Sequence, residues 1–167
     1  MRFLAFLVLF TALQGAPPDV VPQVDLARYM GTWHEIAKFP NRFQRGCRCT
    51  TATYALRPDG KVSVLNRCRT EGGRPRSVNG WAKVADPNTG AKLKVTFFWP
   101  FFGDYWILGL DPDYRHVLVG TPNRKYLWIL ARQPRLDPGA YEALTAKAAQ
   151  QGFEISRLVR TEPCEGP

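Results

Sequence analysis

Apolar and polar positions alternate along most of the chain in short runs, broken at close intervals by turn-forming clusters. The first run, Gly31-Thr32-Trp33-His34-Glu35-Ile36-Ala37-Lys38-Phe39-Pro40, has a strand's period of two; Pro40 cannot continue a hydrogen-bonded ladder. Seven more segments rich in Val, Tyr, Trp, Phe and Ile follow: 51–56, 61–67, 77–84, 92–99, 105–110, 116–120 and 126–131. Turn signals separate them at Pro58-Asp59-Gly60, Gly72-Gly73, Asp86-Pro87-Asn88-Thr89-Gly90, Gly103-Asp104, Asp111-Pro112-Asp113 and Pro122-Asn123. Eight strands joined by hairpin-length loops predict an all-β meander, closed as an eight-stranded antiparallel up-and-down β-barrel able to hold one small ligand. One helix interrupts the pattern. Asp137 caps it, Pro138 starts it, Tyr141, Leu144 and Ala148 form its apolar stripe, and Gly152 ends it. It is expected to pack as a C-terminal α-helix on the outside of the barrel, followed by a last short strand over 153–159.

The first residues do not fit this pattern. Met1-Arg2 precedes an unbroken apolar run from Phe3 to Phe10 and then small residues at Ala12, Gly15 and Ala16. A charged start, a short apolar stretch and a small-residue end read as a secretory signal over 1–16, with the cut uncertain by a few residues. That leaves 17–167 as a single domain in the periplasm or secreted. No cysteine precedes Cys47, so lipid anchoring through a lipoprotein cysteine is not expected. The formal charge is +9, or +8 without Arg2. Such a balance favours anionic surfaces; an exported chain without a binding motif excludes nucleic acid. Four cysteines in an exported chain imply two disulfides rather than a metal site. Three pairings are possible. The hairpin around Pro58-Asp59-Gly60 sets Cys47 almost opposite Cys68, which leaves Cys49 to tether the tail at Cys164.

Three separated segments coincide: Gly31-Thr32-Trp33-His34-Glu35, Leu110-Asp111-Pro112-Asp113-Tyr114 and Leu130-Ala131-Arg132. Together they resemble the three conserved regions of the lipocalins. Ala52-Thr53-Tyr54, Asp59 to Asn66, Phe97-Phe98-Trp99-Pro100-Phe101 and Tyr126-Leu127-Trp128-Ile129-Leu130 extend the likeness to bacterial lipocalins of the apolipoprotein D group. It covers residues 25 to about 160. The resemblance implies that Gly31, Trp33 and Arg132 are structural: Trp33 seals the closed end, and Arg132 lies across its indole as a cation–π partner. The expected Cys49–Cys164 bridge resembles the strand-to-tail bridge of apolipoprotein D.

The same resemblance turns Tyr54 inward, and alternation then lines a cavity. The expected ligand-binding residues are Ala52, Tyr54, Val64, Asn66, Val78, Gly80, Val95, Phe97, Tyr105, Ile107, Leu118, Tyr126 and Trp128. An apolar, aromatic wall of this kind suits a fatty acid, a lysophospholipid or another small hydrophobic ligand, with a polar head near the mouth. A filled barrel is the competing reading; the small inward residues Ala52, Gly80 and Ala82 argue against it. At the rim, Arg42, Arg45 and Arg124 accompany Trp99, Phe101 and Phe102. One reading docks this end on an anionic membrane; the other folds Phe101 and Phe102 back as a lid.

No nucleophile elbow, phosphate loop or metal-binding spacing is present, so no cofactor, metal or catalytic residue is assigned. His34 and His116 lack catalytic partners. Glu35 is expected inward, accepting hydrogen bonds at the barrel floor. The enzymatic alternative is a cysteine-dependent lipid isomerase using Cys68 as a thiolate. A ligand-free interaction protein of the cell envelope is the other. The expected function is storage or transport of lipids by an exported monomer or homodimer, in cell-envelope maintenance.

Overall fold

The computed structural model describes residues 15–163. Residues 1–14 of the secretory signal expected over 1–16, and the tail cysteine Cys164, lie outside the described residues. A four-residue helix α1 (Leu26–Tyr29), capped by the Asp25 carboxylate, leads into β1 (Gly31–Lys38). There follow β2 (Cys47–Leu56), β3 (Val62–Thr70), β4 (Pro75–Val84), β5 (Lys92–Phe98), β6 (Phe101–Leu110), β7 (His116–Gly120) and β8 (Leu127–Ala131). Each strand pairs antiparallel with the next, and β1 pairs with both β8 and β2, so eight strands close into a barrel. Helix α2 (Pro138–Gln150) lies outside it.

The strands follow the hydrophobic pattern, with four departures. Helix α1 carries only one short apolar pair and is not visible in the alternation. Strands β2, β3 and β4 run further toward the mouth than the apolar runs do. There the ladder continues through the exposed residues Arg48, Arg69 and Arg76, whose backbones still pair. Gly103-Asp104 is not a turn: it lies inside β6, and the hairpin reverses at Trp99-Pro100 instead. The final strand predicted over 153–159 is also corrected. Phe153 is buried under the helix, residues Ile155–Arg157 form a 3-10 turn, and only Val159–Arg160 (β9) pairs, with the upper half of β1.

Two cores divide the molecule. One fills the closed half of the barrel with Trp33, Tyr29, Val62, Val64, Leu93, Ile107, Val117 and Val119. The other lies between the outer face of β7–β8 and helix α2, with Phe39, Leu118, Leu127, Ile129, Leu144, Ala148 and Phe153. A register shift in β6 between Ile107 and Gly109 reverses the facing of β7 relative to a simple alternation. Val119 therefore faces in opposite Ile107, while Leu118 faces out against the helix. Assignment of Leu118 to the cavity is thereby corrected, since one extra residue flips every side chain beyond it.

Candidate functional site

The closed end is built first. Gly31 has φ +96°, and a Cβ there would sit 3.2 Å from Arg132 Nη1, so both conformation and space require glycine. Trp33 is completely buried, and its indole N–H donates to the Tyr29 carbonyl at 2.9 Å. The Arg132 guanidinium stacks 3.9 Å above the indole. It donates to the carbonyls of Arg28, Tyr29, Thr32 and Tyr114. The implied role of both side chains thus has its geometry: they tie α1, β1 and the β6–β7 turn together. That turn is organised by Asp111, which accepts from the backbone of Asp113 and Arg115 and from the Arg115 guanidinium. The Arg115 hydrogen bonds hold the Asp111 carboxyl down at about 2.

Above this floor the inner wall grades from filled to open. Val62, Val64, Ala82, Leu93, Ile107 and Leu130 are buried, and Tyr54 is nearly so. Ala52, opposite Trp33, and Tyr105 keep some accessible surface deeper in the barrel; nearer the mouth Asn66, Val95, Phe97, Tyr126 and Trp128 do so, and Val78 is exposed. Strand register places them on one face: Ala52 opposite Asn66, Asn66 opposite Val78, Ala82 opposite Val95 and Leu93 opposite Tyr105. Gly80 does not leave the space expected of it. A Cβ there would lie 2.6 Å from Phe97 Cδ1, so the Phe97 ring already occupies that position. Ala82 is likewise packed, which leaves Ala52 as the one small residue of the three still facing open surface.

Two polar groupings inside the barrel have no sequence signature. Deep in the barrel the Tyr105 hydroxyl lies 2.7 Å from that of Tyr29 and 3.1 Å from that of Tyr54. Burial pushes all three phenols up, so they are neutral donors and acceptors. Two bonds among three hydroxyls leave one O–H without an acceptor in the triad. Asn66 Oδ1, on the same inner face, has no hydrogen-bond partner either.

The second grouping closes the mouth. A register shift after Glu35 turns Ile36 and Ala37 toward the helix and sets Lys38 opposite Trp128, facing in. Lys38 Nζ donates to Glu35 Oε1 at 2.8 Å, and Thr161 of the C-terminal segment donates to the same oxygen at 2.6 Å. Gln44, at the end of the 3-10 turn Arg42–Gln44 in the β1–β2 loop, donates to the other carboxylate oxygen. The Gln44 carbonyl oxygen accepts from Trp128 Nε1 and from Asn41. Glu35 is therefore inward and hydrogen-bonded as expected, but under the mouth loop and not at the floor.

This loop, not Phe101 and Phe102, is the lid. Phe43 at its tip reaches Tyr126 on one side, while its carbonyl accepts from Arg76 on the other. The folded-back reading of the aromatic hairpin is corrected. Phe101 is 78 % exposed, and Phe102 lies on the outer wall edge-on to Trp81. Arg124 is corrected too: it donates to the carbonyls of Gln151 and Ala16, holding the end of α2 and the N-terminal segment.

Cys47 and Cys68 form a disulfide, so the thiolate that the isomerase reading requires at Cys68 is not available. Cys49 is disulfide-bonded as well; its expected partner Cys164 lies outside the described residues. Its amide donates to the Glu162 carbonyl, which holds the tail alongside β2. Among the described residues no group of three His, Cys, Asp or Glu side chains could hold a metal ion.

Residues 24–163 match the family model of the lipocalin-like domain. The chain is 45 % identical to temperature-induced lipocalin-1 of Arabidopsis thaliana, over 89 % of this chain and 84 % of that one. It is 42 % identical to the outer membrane lipoprotein Blc of Escherichia coli K12, over 93 % and 89 % of the two chains. Apolipoprotein D of Mus musculus is 33 % identical over 100 % of this chain and 96 % of its own. Among solved structures, insecticyanin of the tobacco hornworm Manduca sexta superposes with a TM-score of 0.71 at 25 % identity, covering 90 % and 88 %.

Proposed function

The chain belongs to the lipocalin family, in the group of the bacterial Blc proteins and apolipoprotein D, and on that premise we propose that it stores or transports fatty acids, lysophospholipids or similar single-chain amphiphiles. Its family membership makes it a binder of hydrophobic ligands; the choice of ligand is our reading. One observation carries it. The inner wall is packed below and lined above by Val95, Phe97, Tyr126 and Trp128, which, like Ala52 beside Trp33, retain surface although they face inward. Apolar side chains left accessible inside a closed barrel favour an occupant that removes them from water, at about 25 cal/mol for each square ångström covered. Lys38, the Tyr105 hydroxyl and Asn66 offer the few polar contacts that orient such a ligand.

We place the protein in the cell envelope or outside the cell, working in envelope maintenance as a monomer or homodimer. Two disulfide-bonded cysteine sites, Cys47 with Cys68 and Cys49, support an oxidising compartment. The expectation that no lipid anchor is used gains no support from relatives named as outer membrane lipoproteins. Native mass spectrometry of protein purified from its own host, followed by lipid extraction, tests the carrier reading. A retained single-chain lipid that is displaced by added fatty acid supports it. Protein that retains no lipid and binds none on titration removes it in favour of an interaction role.

A further inference from the structure

Three of the most exposed large apolar side chains of the described residues sit on one hairpin tip: Phe98, Trp99 and Phe101, at 75, 76 and 78 %. The β5–β6 hairpin that carries them points to the mouth end of the barrel, because alternate loops of an antiparallel meander share one end. Phe43, 58 % exposed, stands on the lid at the same end. Aromatic side chains of this size, clustered and solvated, are not needed to close the fold. The closed half of the barrel and the helix face are already packed by other residues.

The charge around them is one-sided. Arg42, Arg45, Arg74 and Lys125 lie on the mouth loops without an ion-pair partner among the described residues, and Glu71 is the nearby carboxylate left unpaired. Asp104 is taken up by Lys94, and Glu162 by Arg48. At the opposite end Arg57 and Lys61 pair with Asp59 and Arg115 pairs with Asp111 and Asp113, while Arg28 and Arg132 are engaged with backbone carbonyls and aromatic rings. Basic groups ringing exposed Trp and Phe fit the interface of an anionic bilayer, where the ring enters the headgroup layer and the cations face the phosphates.

The geometry points to the mouth of this barrel docking on an anionic lipid bilayer, with Phe98, Trp99, Phe101 and Phe43 inserted and the barrel axis upright on the surface. This rests on the carrier reading for its purpose: the mouth would face the bilayer from which a single-chain lipid is taken or to which it is delivered. The lid lies within the footprint, since Arg42 and Phe43 belong to it.

The test uses the disulfide-bonded protein in two assays. Co-sedimentation is measured with vesicles of phosphatidylcholine alone and with vesicles of equal parts phosphatidylcholine and phosphatidylglycerol. A fluorescent fatty acid is titrated separately in the absence of vesicles. Docking predicts binding to the phosphatidylglycerol vesicles about tenfold or more above that to phosphatidylcholine, falling with added salt. The variant Phe98→Ser/Trp99→Ser/Phe101→Ser loses this binding while its fatty-acid titration and melting temperature stay unchanged. Equal sedimentation of wild type and variant, or no binding to either vesicle, overturns docking and leaves the carrier reading intact. Loss of fatty-acid binding with vesicle binding kept removes the carrier reading alone. If the wild type ignores vesicles but self-associates and the variant does not, the tip is an interface with a second copy, and docking is overturned.

Discussion

At the residue scale, single side chains hold the two ends of the barrel in different ways. Arg132 satisfies four backbone carbonyls from one planar group while covering Trp33. An ammonium cannot reproduce that fork. Arg132→Lys is expected to cost about 1–3 kcal/mol in urea unfolding and to leave fatty-acid affinity unchanged. Gln44 plays the corresponding part at the mouth, where its amide joins the lid to Glu35 and to Trp128. Gln44→Ala removes these bonds without touching the apolar wall. Ligand release, followed by stopped-flow displacement, should quicken by roughly five- to thirtyfold for a latch worth about 1–2 kcal/mol. An unchanged release rate would show that the loop does not gate the barrel. Trp33 and Arg132 were legible only through the family resemblance, which rests on motifs that are local runs. Gln44 was not, since its partners lie nine and eighty-four positions away and no periodicity marks such a meeting.

At the element scale, register shifts decide which core a side chain joins. The shift in β6 sends Leu118 under helix α2, beside Ile129, Leu144 and Ala148. Leu118→Ala should therefore cost about 2–5 kcal/mol of stability with no change in ligand affinity. A loss of affinity at full stability would return Leu118 to the cavity wall. The β6–β7 turn has a pH dependence of known sign. Asp111 binds its proton less readily when folded, about 2 against 3.8, so the unfolded chain takes up more protons in acid. Its contribution is present above pH 4 and is lost as the pH falls from about 4 through 2. Thermal melts across that range should show a decline that Asp111→Asn flattens. Strand spacing, the Asp137 cap and Gly152 as the helix stop could all be read from the chain, because each is fixed by local backbone chemistry. The hairpin at Trp99-Pro100 was obscured because Gly103-Asp104 offers a stronger turn signal inside what is a strand.

At the scale of the whole molecule, the barrel is closed twice. β1 pairs with β2 only over Gly31 to His34, and above that the C-terminal segment lies beside β1 through Val159–Arg160 and reaches β2 at Cys49. Thr161 in that segment also reaches the buried Glu35. Both bonded cysteine sites, Cys47–Cys68 and Cys49, lie on this mouth half. Reduction is expected to remove about 2–4 kcal/mol for each bridge. Ligand retention should fail at lower denaturant than global unfolding does, as read by lipid fluorescence against far-UV circular dichroism. Coincident transitions would show that the seam is not the weaker part. The sequence by itself determined the eight-strand meander, the outer helix and the basic, aromatic character of the mouth, because alternation, turn chemistry and capping act between neighbours along the chain; the sealed end came from the family resemblance of its motifs. Only the tertiary structure decided that Leu118 faces the helix, that Phe97 fills the place above Gly80, that Arg124 serves the helix end and that the lid is the β1–β2 loop. Those outcomes depend on bulges and on contacts across the closed barrel, where a shift of one residue reverses a face and the partner is distant in sequence.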